Sequence, residues 1–359
     1  MKINIVVPGL YKSGGMRAIF EISNGLVKKG HQLKIYYPII PFNSFRGEYS
    51  WKALKNYYWD IKMYNFNKEN LEYFKRGVFD IVKIPFISDF FVEDSDITIA
   101  TAWQTVSSVK NLSDNKGQKI YYIQDYETWR GSMREIDKSY NEGIFSVTTC
   151  KYLHDLIFSK FKVESSFIHY GIDFELFNNP RKKYEKRRTI GFINHSADKK
   201  NTKASIQIVD AIKKKYPDVR IISFGVMNYN GLPEYINNHV NPSEQKVSEL
   251  YCQSDIFLYT SKEEGFGMPP CEAMACRTAV VSTNVGALEE YSDNNESAFL
   301  HEPGDIEGMI KSVESLITDD NLLKKISENG YSKVKKMLSW EKAVNEWETL
   351  LNERLNKKI

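Results

Sequence analysis

Cysteine is scarce: the 359 residues contain four, Cys150, Cys252, Cys271 and Cys276, with no regular spacing. A small fold stapled by disulfides is therefore excluded. Cys271 and Cys276 are close in sequence, but no histidine or second cysteine pair completes a zinc set. No run of about 18 apolar residues is present to span a bilayer. The opening Met1-Lys2, followed by Ile3 to Val7, is too short for a secretory leader, so a reducing cytoplasm is the expected compartment. Long blocks of one charge are missing as well. The 49 Lys and Arg against 46 Asp and Glu leave a net +3, which does not imply nucleic acid and leaves room for weak attraction to an anionic membrane. There is no short internal repeat, no low-complexity tract and no G-x-G-x-x-G dinucleotide fingerprint.

What remains is an ordinary globular composition, 42% hydrophobic and 26% charged. This length predicts two domains of about 150 to 200 residues each. Short apolar runs alternate with stretches of helical period, which reads as α/β with parallel sheets. Ile3 to Val7 is the first strand, and a helix with Ile19, Phe20, Ser23, Leu26 and Val27 on one face follows it and stops at Gly30. Strands are expected at His31–Tyr37, Ile97–Ala100, Lys119–Ile123 and Phe145–Thr149. A second alternation begins at Arg188–Ile193 and continues through Val219–Gly225, Ile256–Tyr259 and Ala279–Ser282. The polar run NNPRKKYEKRR between the two reads as a linker. The expected domains are 1–180 and 181–338, with 339–359 as a closing helix.

The chemistry concentrates between Ser254 and Tyr291. A strand runs into Glu264-Gly265-Phe266-Gly267, then Pro269-Pro270, a helix carrying Glu272, and a second strand. The helix is expected to begin near Pro270, because proline suits a first turn, where an N–H has no partner anyway. Glu272 would then stand in that first turn, beside free amides. Gly265 and Gly267 allow close backbone approach to a ligand. Amides attract phosphate and carboxylates accept hydroxyl protons, so the stretch suits a polyhydroxylated anion. An acidic residue that merely complements a helix dipole would account for Glu272 alone but not for the whole group.

Other candidates lie where loops leave strands. Gly14 and Gly15 end a G-x4-G-G loop after the first strand, and their amides are expected to meet phosphate or sugar rather than simply form a turn. Gln124, Asp125 and Glu127 follow the strand ending at Ile123 and are candidates for holding hydroxyls or carrying protons. Lys199, Lys200 and Lys203 precede a helix, where they would hold a diphosphate. Asp94-Ser95-Asp96 matches an Asp-x-Asp metal pattern but leads into a strand instead of leaving one, and reads as a decoy. Residues 41–90 mix Trp51, Tyr57, Tyr58, Trp59, Tyr64, Tyr73 and Phe74 with lysines and Arg76. That stretch is either a partly buried insert or a surface for a membrane or an acceptor.

Glu264-Gly-Phe-Gly-Met-Pro-Pro-Cys-Glu272 resembles the E-x7-E motif of the retaining nucleotide-sugar glycosyltransferases of family 4, which adopt the GT-B fold. GGMRAIFEISNGLVKKGHQL is similar to that family's first Gly-Gly loop and helix, HYGIDFELF to its N-G-I-D segment, TNVGALEEY to its T-x-V-G-G-x-x-E segment and SWEKAVNEW to its closing helix. The resemblance implies two facing Rossmann-like domains, a site in the cleft between them and a last helix that returns to the first domain. It implies that Glu272 binds the donor ribose and Glu264 the donor sugar. Gly265, Phe266 and Gly267 would lend amides, Lys200 would neutralise the diphosphate, and Gly15 would approach it from the first domain. No metal or other cofactor is implied. The donor would be a nucleotide-diphosphate sugar and the acceptor a glycan, free or linked to lipid or protein.

Two positions depart from the pattern. His195 stands where the family usually has an arginine five residues before the phosphate lysine, so one fixed charge is missing unless His195 is protonated or Lys199 or Lys203 substitutes. Gln124 stands where many members have a histidine, and it cannot exchange a proton near neutral pH. YIQDYE resembles a subset of bacterial polysaccharide transferases, some of them rhamnosyltransferases. The expectation is a retaining hexosyltransferase. Its rivals are a non-catalytic GT-B subunit that binds glycan or stabilises a partner enzyme, and a GT-B sugar-nucleotide epimerase.

Overall fold

The computed structural model describes residues 1–10, 13–39, 77–127, 132–227 and 229–356. The aromatic and basic residues from Trp51 to Arg76 lie outside the described residues. The chain divides into two compact units, one formed by Met1–Tyr170 with Trp340–Ile359, the other by Gly171–Ser339.

In the first unit the described strands are β1 (Lys2–Val6), β2 (Gln32–Pro38), β3 (Asp80–Ile84), β4 (Ile97–Ala100), β5 (Gln118–Ile123), β6 (Phe145–Thr148) and β7 (Ser165–Phe167). They form a parallel sheet in the order β3-β2-β1-β4-β5-β6-β7. The central strands are buried along their length, and parallel strands covered on both faces read as continuous apolar runs. Helix α1 (Gly14–Lys28) starts at Ser13, whose hydroxyl accepts from the Met16 amide at 3.2 Å. It stops at Gly30, where φ is +90°.

The second unit repeats the plan with β8 (Thr189–Ile193), β9 (Arg220–Gly225), β10 (Ile236–Val240), β11 (Ile256–Tyr259), β12 (Ala279–Thr283) and β13 (Phe299–His301), ordered β10-β9-β8-β11-β12-β13. Ile190, Phe192, Ile208, Ile256, Val281 and Leu323 lie in one continuous core. Both sheets reverse their strand order once, at β1/β4 and at β8/β11, and open α/β sheets bind ligands beyond the carboxyl ends of strands at such a reversal.

Strands β3, β10 and β13 have no counterpart in the sequence reading. All three are edge strands, and their mixed burial breaks the apolar run that marks the interior strands. The division between units falls at Gly171, not near residue 181. The polar run belongs to the second unit because Lys182 donates to the carbonyls of Cys252 at 2.7 Å and Ser254 at 2.5 Å, while Phe177 packs edge-on against Tyr251. The last described helix, Trp340–Asn356, sits in the first unit. Its Glu348 pairs with Lys29 at 2.7 Å and His31 at 3.0 Å, and its Trp347 meets the Tyr122 ring edge-on at 4.8 Å.

Candidate active site

At the reversal of the second sheet, β8 ends at Ile193 and the chain turns through Asn194, His195 and a short 3-10 turn, Asp198–Lys200, into helix α5 (Thr202–Lys215). The Thr202 hydroxyl receives the His195 amide and donates to the His195 carbonyl, both at 2.9 Å, which closes this loop. The neighbouring strand β11 ends at Tyr259, and its loop is fastened to the first. The Lys262 amide donates to the Lys199 carbonyl at 2.7 Å, the Thr260 hydroxyl to the Asn201 carbonyl at 3.0 Å, and the Lys262 ammonium pairs with Asp198 at 2.7 Å.

These ties bring Lys200 to Glu264. The ammonium lies 2.5 Å from Glu264 Oε1, and the Tyr259 phenol donates to the same oxygen at 2.5 Å. Burial, with the Glu264 charge adding to it, holds the Tyr259 phenol well above its ordinary value, so it remains a donor. The Glu264 side chain is 10% exposed and that of Lys200 25%, which leaves the cation reachable from solvent.

Beyond Glu264 the Gly265-Phe266-Gly267 turn is buried. The Phe266 ring stacks on Tyr291 at 5.5 Å, the Tyr291 phenol donates to the Gly267 carbonyl at 2.7 Å, and the Ala287 amide donates to the Phe266 carbonyl at 3.1 Å. Gly286, at φ +65°, lies so close that a Cβ there would be 3.1 Å from Glu264 Cβ and from the Gly265 carbonyl oxygen. The TNVGALEEY segment thus buttresses the EGFG turn.

Helix α7 spans Met268–Ala275, two residues earlier than expected, because Gly267 at φ +90° turns the chain into it. Pro269 and Pro270 fall at its second and third positions and remove two of the amides that a first turn would offer. Glu272 is consequently past the first turn and does not stand in an amide fan. The residue is 8% exposed, and its carboxylate accepts from the Tyr251 phenol at 3.2 Å. Burial, then the Glu272 charge, keeps that phenol protonated.

His195 does not supply the missing charge. Its Nδ1 accepts the Ala197 amide at 2.9 Å, which places the ring proton on Nε2. Burial, then the Lys200 charge, holds its pKa below the ordinary imidazole value. Lys199 is half-buried with its carbonyl held by Lys262, and Lys203 is exposed within α5.

In the first unit, Gly14 and Gly15 open helix α1, and the Gln124 amide donates to the Gly15 carbonyl at 3.1 Å. A Cβ at Gly15 would meet the end of the Gln124 side chain, which would have to swing aside and give up its bond to the Gly15 carbonyl. Asp125 is half-buried beside Gln124. Glu127 is buried and accepts the Trp103 amide at 2.7 Å, so it caps a helix instead of facing a ligand. At the opposite end of β4, Asp94 pairs with Lys116 at 2.7 Å and Asp96 accepts the Lys2 amide at 2.7 Å.

The sequence reading missed Tyr259, Tyr251 and Gly286 as parts of the site. Tyr259 and Tyr251 carry no signal that sets them apart from core residues, and Gly286 is marked only by its place in the TNVGALEEY segment.

Two Rossmann-like units of parallel sheet make this a GT-B fold. Residues 173–333 match the family model described as "Glycosyl transferases group 1". The chain is 28% identical over 204 residues, 51% of its length and 54% of the relative's, to the capsular polysaccharide biosynthesis glycosyltransferase CapM of Staphylococcus aureus. It therefore spans about half the length of that curated relative. Among solved structures it is similar to Anabaena HepE in complex with UDP and glucose, at TM-score 0.73 and 13% identity over 98% of this chain and 100% of that one. It is likewise similar to sucrose-phosphate synthase from Thermosynechococcus elongatus, at TM-score 0.73 and 12% identity over 99% of each chain.

Proposed function

We propose that the protein is a retaining, metal-independent glycosyltransferase of family 4 that moves a hexosyl unit, rhamnosyl included, from a nucleotide-diphosphate sugar to a glycan or glycoconjugate. The observation that carries this reading is the Lys200–Glu264–Tyr259 cluster at the reversal of the second sheet, with Glu272 one short turn away. CapM is named for capsular polysaccharide synthesis and HepE was solved with UDP and glucose, and both names agree with a nucleotide-sugar donor.

In this reading the donor diphosphate takes the Lys200 ammonium from Glu264. The freed carboxylate accepts hydroxyls of the donor sugar, and Tyr259 keeps it oriented. Glu272, steadied by Tyr251, accepts ribose hydroxyls. Amides of Gly265, Phe266 and Gly267 meet sugar or phosphate, and His195 contributes Nε2–H as a neutral donor. In the first unit, the Gly14 and Gly15 amides are assigned to phosphate, and Gln124 and Asp125 to sugar hydroxyls. The bond from the anomeric carbon to the leaving phosphate breaks as the acceptor oxygen attacks from the same face, and the acceptor proton passes to the departing phosphate. The protein positions the partners and stabilises charge on that phosphate.

A second reading, a non-catalytic GT-B subunit, draws on the neutral His195. One experiment addresses both: a thermal-shift screen of UDP, GDP, ADP and dTDP and their sugars on wild type and Glu272→Ala, followed by turnover of the best donor. A ligand at 100 times its dissociation constant should stabilise by about 2.7 kcal/mol. A shift lost in the variant, with sugar transfer by the protein alone, supports the transferase. A shift without turnover favours the non-catalytic subunit, and no shift from any donor sinks the donor assignment.

A further inference from the structure

We propose that the second unit carries a lysine-rich face, built from the 181–187 run and the first half of the helix Asp320–Met337, that adsorbs the protein onto an anionic lipid surface.

The run NNPRKKYEKRR has the composition of a linker, yet it is fastened along helix α10 (Asp320–Met337). The Arg188 guanidinium pairs with Asp320 at the start of that helix. The Tyr184 phenol donates at 3.2 Å to the carbonyl of Arg277, whose guanidinium pairs with Glu328 at 3.2 Å. From Asp320 to Glu328 is roughly 12 Å of helix and from Tyr184 to Arg188 roughly 13 Å of extended chain, so the two run side by side in opposite directions. Lys324 lies one turn from each anchor on α10, with Lys325 beside it. Both are exposed, as are Arg181, Lys183, Lys186 and Arg187, while Leu323, Ile326 and Ser327 turn the other side of the helix inward.

Arg188 precedes β8, Arg220 opens β9 and Arg277 precedes β12, so this face covers the amino ends of the second sheet. Lys200 and Glu264 follow the carboxyl ends of its strands and stay clear of it. The neighbouring carboxylates are already engaged. Asp320 pairs with Arg188, Glu328 with Arg277 and Glu185 with Arg220 at 3.6 Å, and Asp319 accepts the Asn321 and Leu322 amides at 2.9 Å. Arg187 donates to the Asp218 carbonyl at 2.8 Å, whereas Arg181, Lys183, Lys186, Lys324 and Lys325 have no ion pair among the described residues. Their charge is therefore available to a partner.

The cations stand on a bend and on the outer side of a helix, an open array that reads charge density rather than the shape of a small anion. Most are lysines, which act as point charges without the bidentate fork of arginine. Among the described residues of this unit, the large apolar side chains that are exposed are Val226, Met227 and Val240, at the carboxyl ends of β9 and β10. The face thus offers neither an anchor for insertion nor a platform on which nucleic-acid bases stack. Clusters of about four to eight Lys or Arg adsorb to anionic leaflets, each cation adding about fivefold to the partition. The inference does not depend on the transferase reading.

The test is co-sedimentation of the full chain with vesicles of phosphatidylcholine alone and of phosphatidylcholine with phosphatidylglycerol, at low and high sodium chloride. Wild type should bind the anionic vesicles, release them at high salt, and ignore the neutral ones. Lys324→Glu with Lys325→Glu should weaken binding by about 25-fold or more, and Lys183→Gln with Lys186→Gln, which alters the run instead of the helix, by about 25-fold. Lys28→Glu with Lys138→Glu, an equal charge change at exposed lysines of the first unit, should stay within about threefold of wild type. Circular dichroism checks that each variant is folded. Equal binding to neutral vesicles, no binding to anionic vesicles at low salt, or an equal loss in the first-unit control would overturn the proposal. Binding to soluble polyphosphate but not to vesicles would assign the face to a polyanion and overturn the lipid partner.

Discussion

The Lys200 ammonium and Glu264 Oε1 stand 2.5 Å apart, held there by loops from two different strands. A cation resting on a carboxylate can move to a phosphate and leave the carboxylate free, so the pair is already arranged for exchange. Lys200→Ala should lower kcat/KM for the donor by about 10²- to 10³-fold, the loss typical of one transition-state electrostatic contact. Lys200→Arg should retain part of the activity. Steady-state kinetics with saturating acceptor reads the difference, and a change below threefold for alanine would remove Lys200 from the leaving-group role.

Tyr259→Phe separates support from chemistry. The phenol is fully buried and its partner is an ionised carboxylate, so its loss should destabilise the second unit by about 1.5–3 kcal/mol. Urea unfolding followed by circular dichroism measures this. The donor KM should rise more than kcat falls, because Glu264 loses its orientation but keeps its charge.

Gly286 and Gly304 form a matched comparison. Both have positive φ, +65° and +99°, but a Cβ at Gly286 would press on Glu264 and Gly265 while one at Gly304 would meet nothing within 4 Å. Alanine at either position should cost about 1–2 kcal/mol through backbone strain. Only Gly286→Ala should weaken nucleotide binding as well. Equal donor affinity in the two variants would mean that the buttress does not shape the EGFG turn.

The interior of both sheets was legible because a parallel strand covered on both faces has one unmistakable pattern, as in Ile97–Ala100 and Ile256–Tyr259. The edge strands were not, because partly buried or exposed positions interrupt their apolar run. In the site, Glu264, Glu272 and Lys200 could be read from motif and loop position. Their buried partners Tyr259 and Tyr251 could not, since a tyrosine in an apolar strand or helix looks like core until its phenol is seen to point at a carboxylate. The start of α7 was misjudged for a related reason. Pro270 is compatible with a helix start, but the positive φ of Gly267 fixes the turn two residues sooner, and no composition rule reveals which glycine is used.

The closing helix is open to a stability test. Trp347 is 1% exposed against Tyr122, and a Cβ on Gly25 of α1 would collide with Val344. Trp347→Ala should cost about 3–5 kcal/mol, as large-to-small changes in a core do. Gly25→Val should be comparably damaging by forcing the helices apart. Circular dichroism during urea unfolding checks both, and a loss below 1 kcal/mol for Trp347→Ala would mean that the helix is not part of the first unit's core.

His195 supplies the sharpest test of the altered motif. Its folded pKa is below the ordinary value of 6.5 because of burial and then Lys200. The folded chain therefore binds this proton less readily than the unfolded chain. The stabilisation is complete above the ordinary value and is lost as pH falls from there toward the lowered folded value. His195→Gln should flatten that part of the stability profile. His195→Arg should restore a fixed charge beside Lys200 while leaving the backbone bonds to Thr202 intact. A charge-assisted hydrogen bond to a diphosphate is worth about 1.5–3 kcal/mol, so nucleotide affinity should rise by about tenfold or more. Unchanged affinity would mean that the diphosphate does not pass His195, and since Lys200 is held in the same loop, its assignment to the leaving phosphate would fall with it.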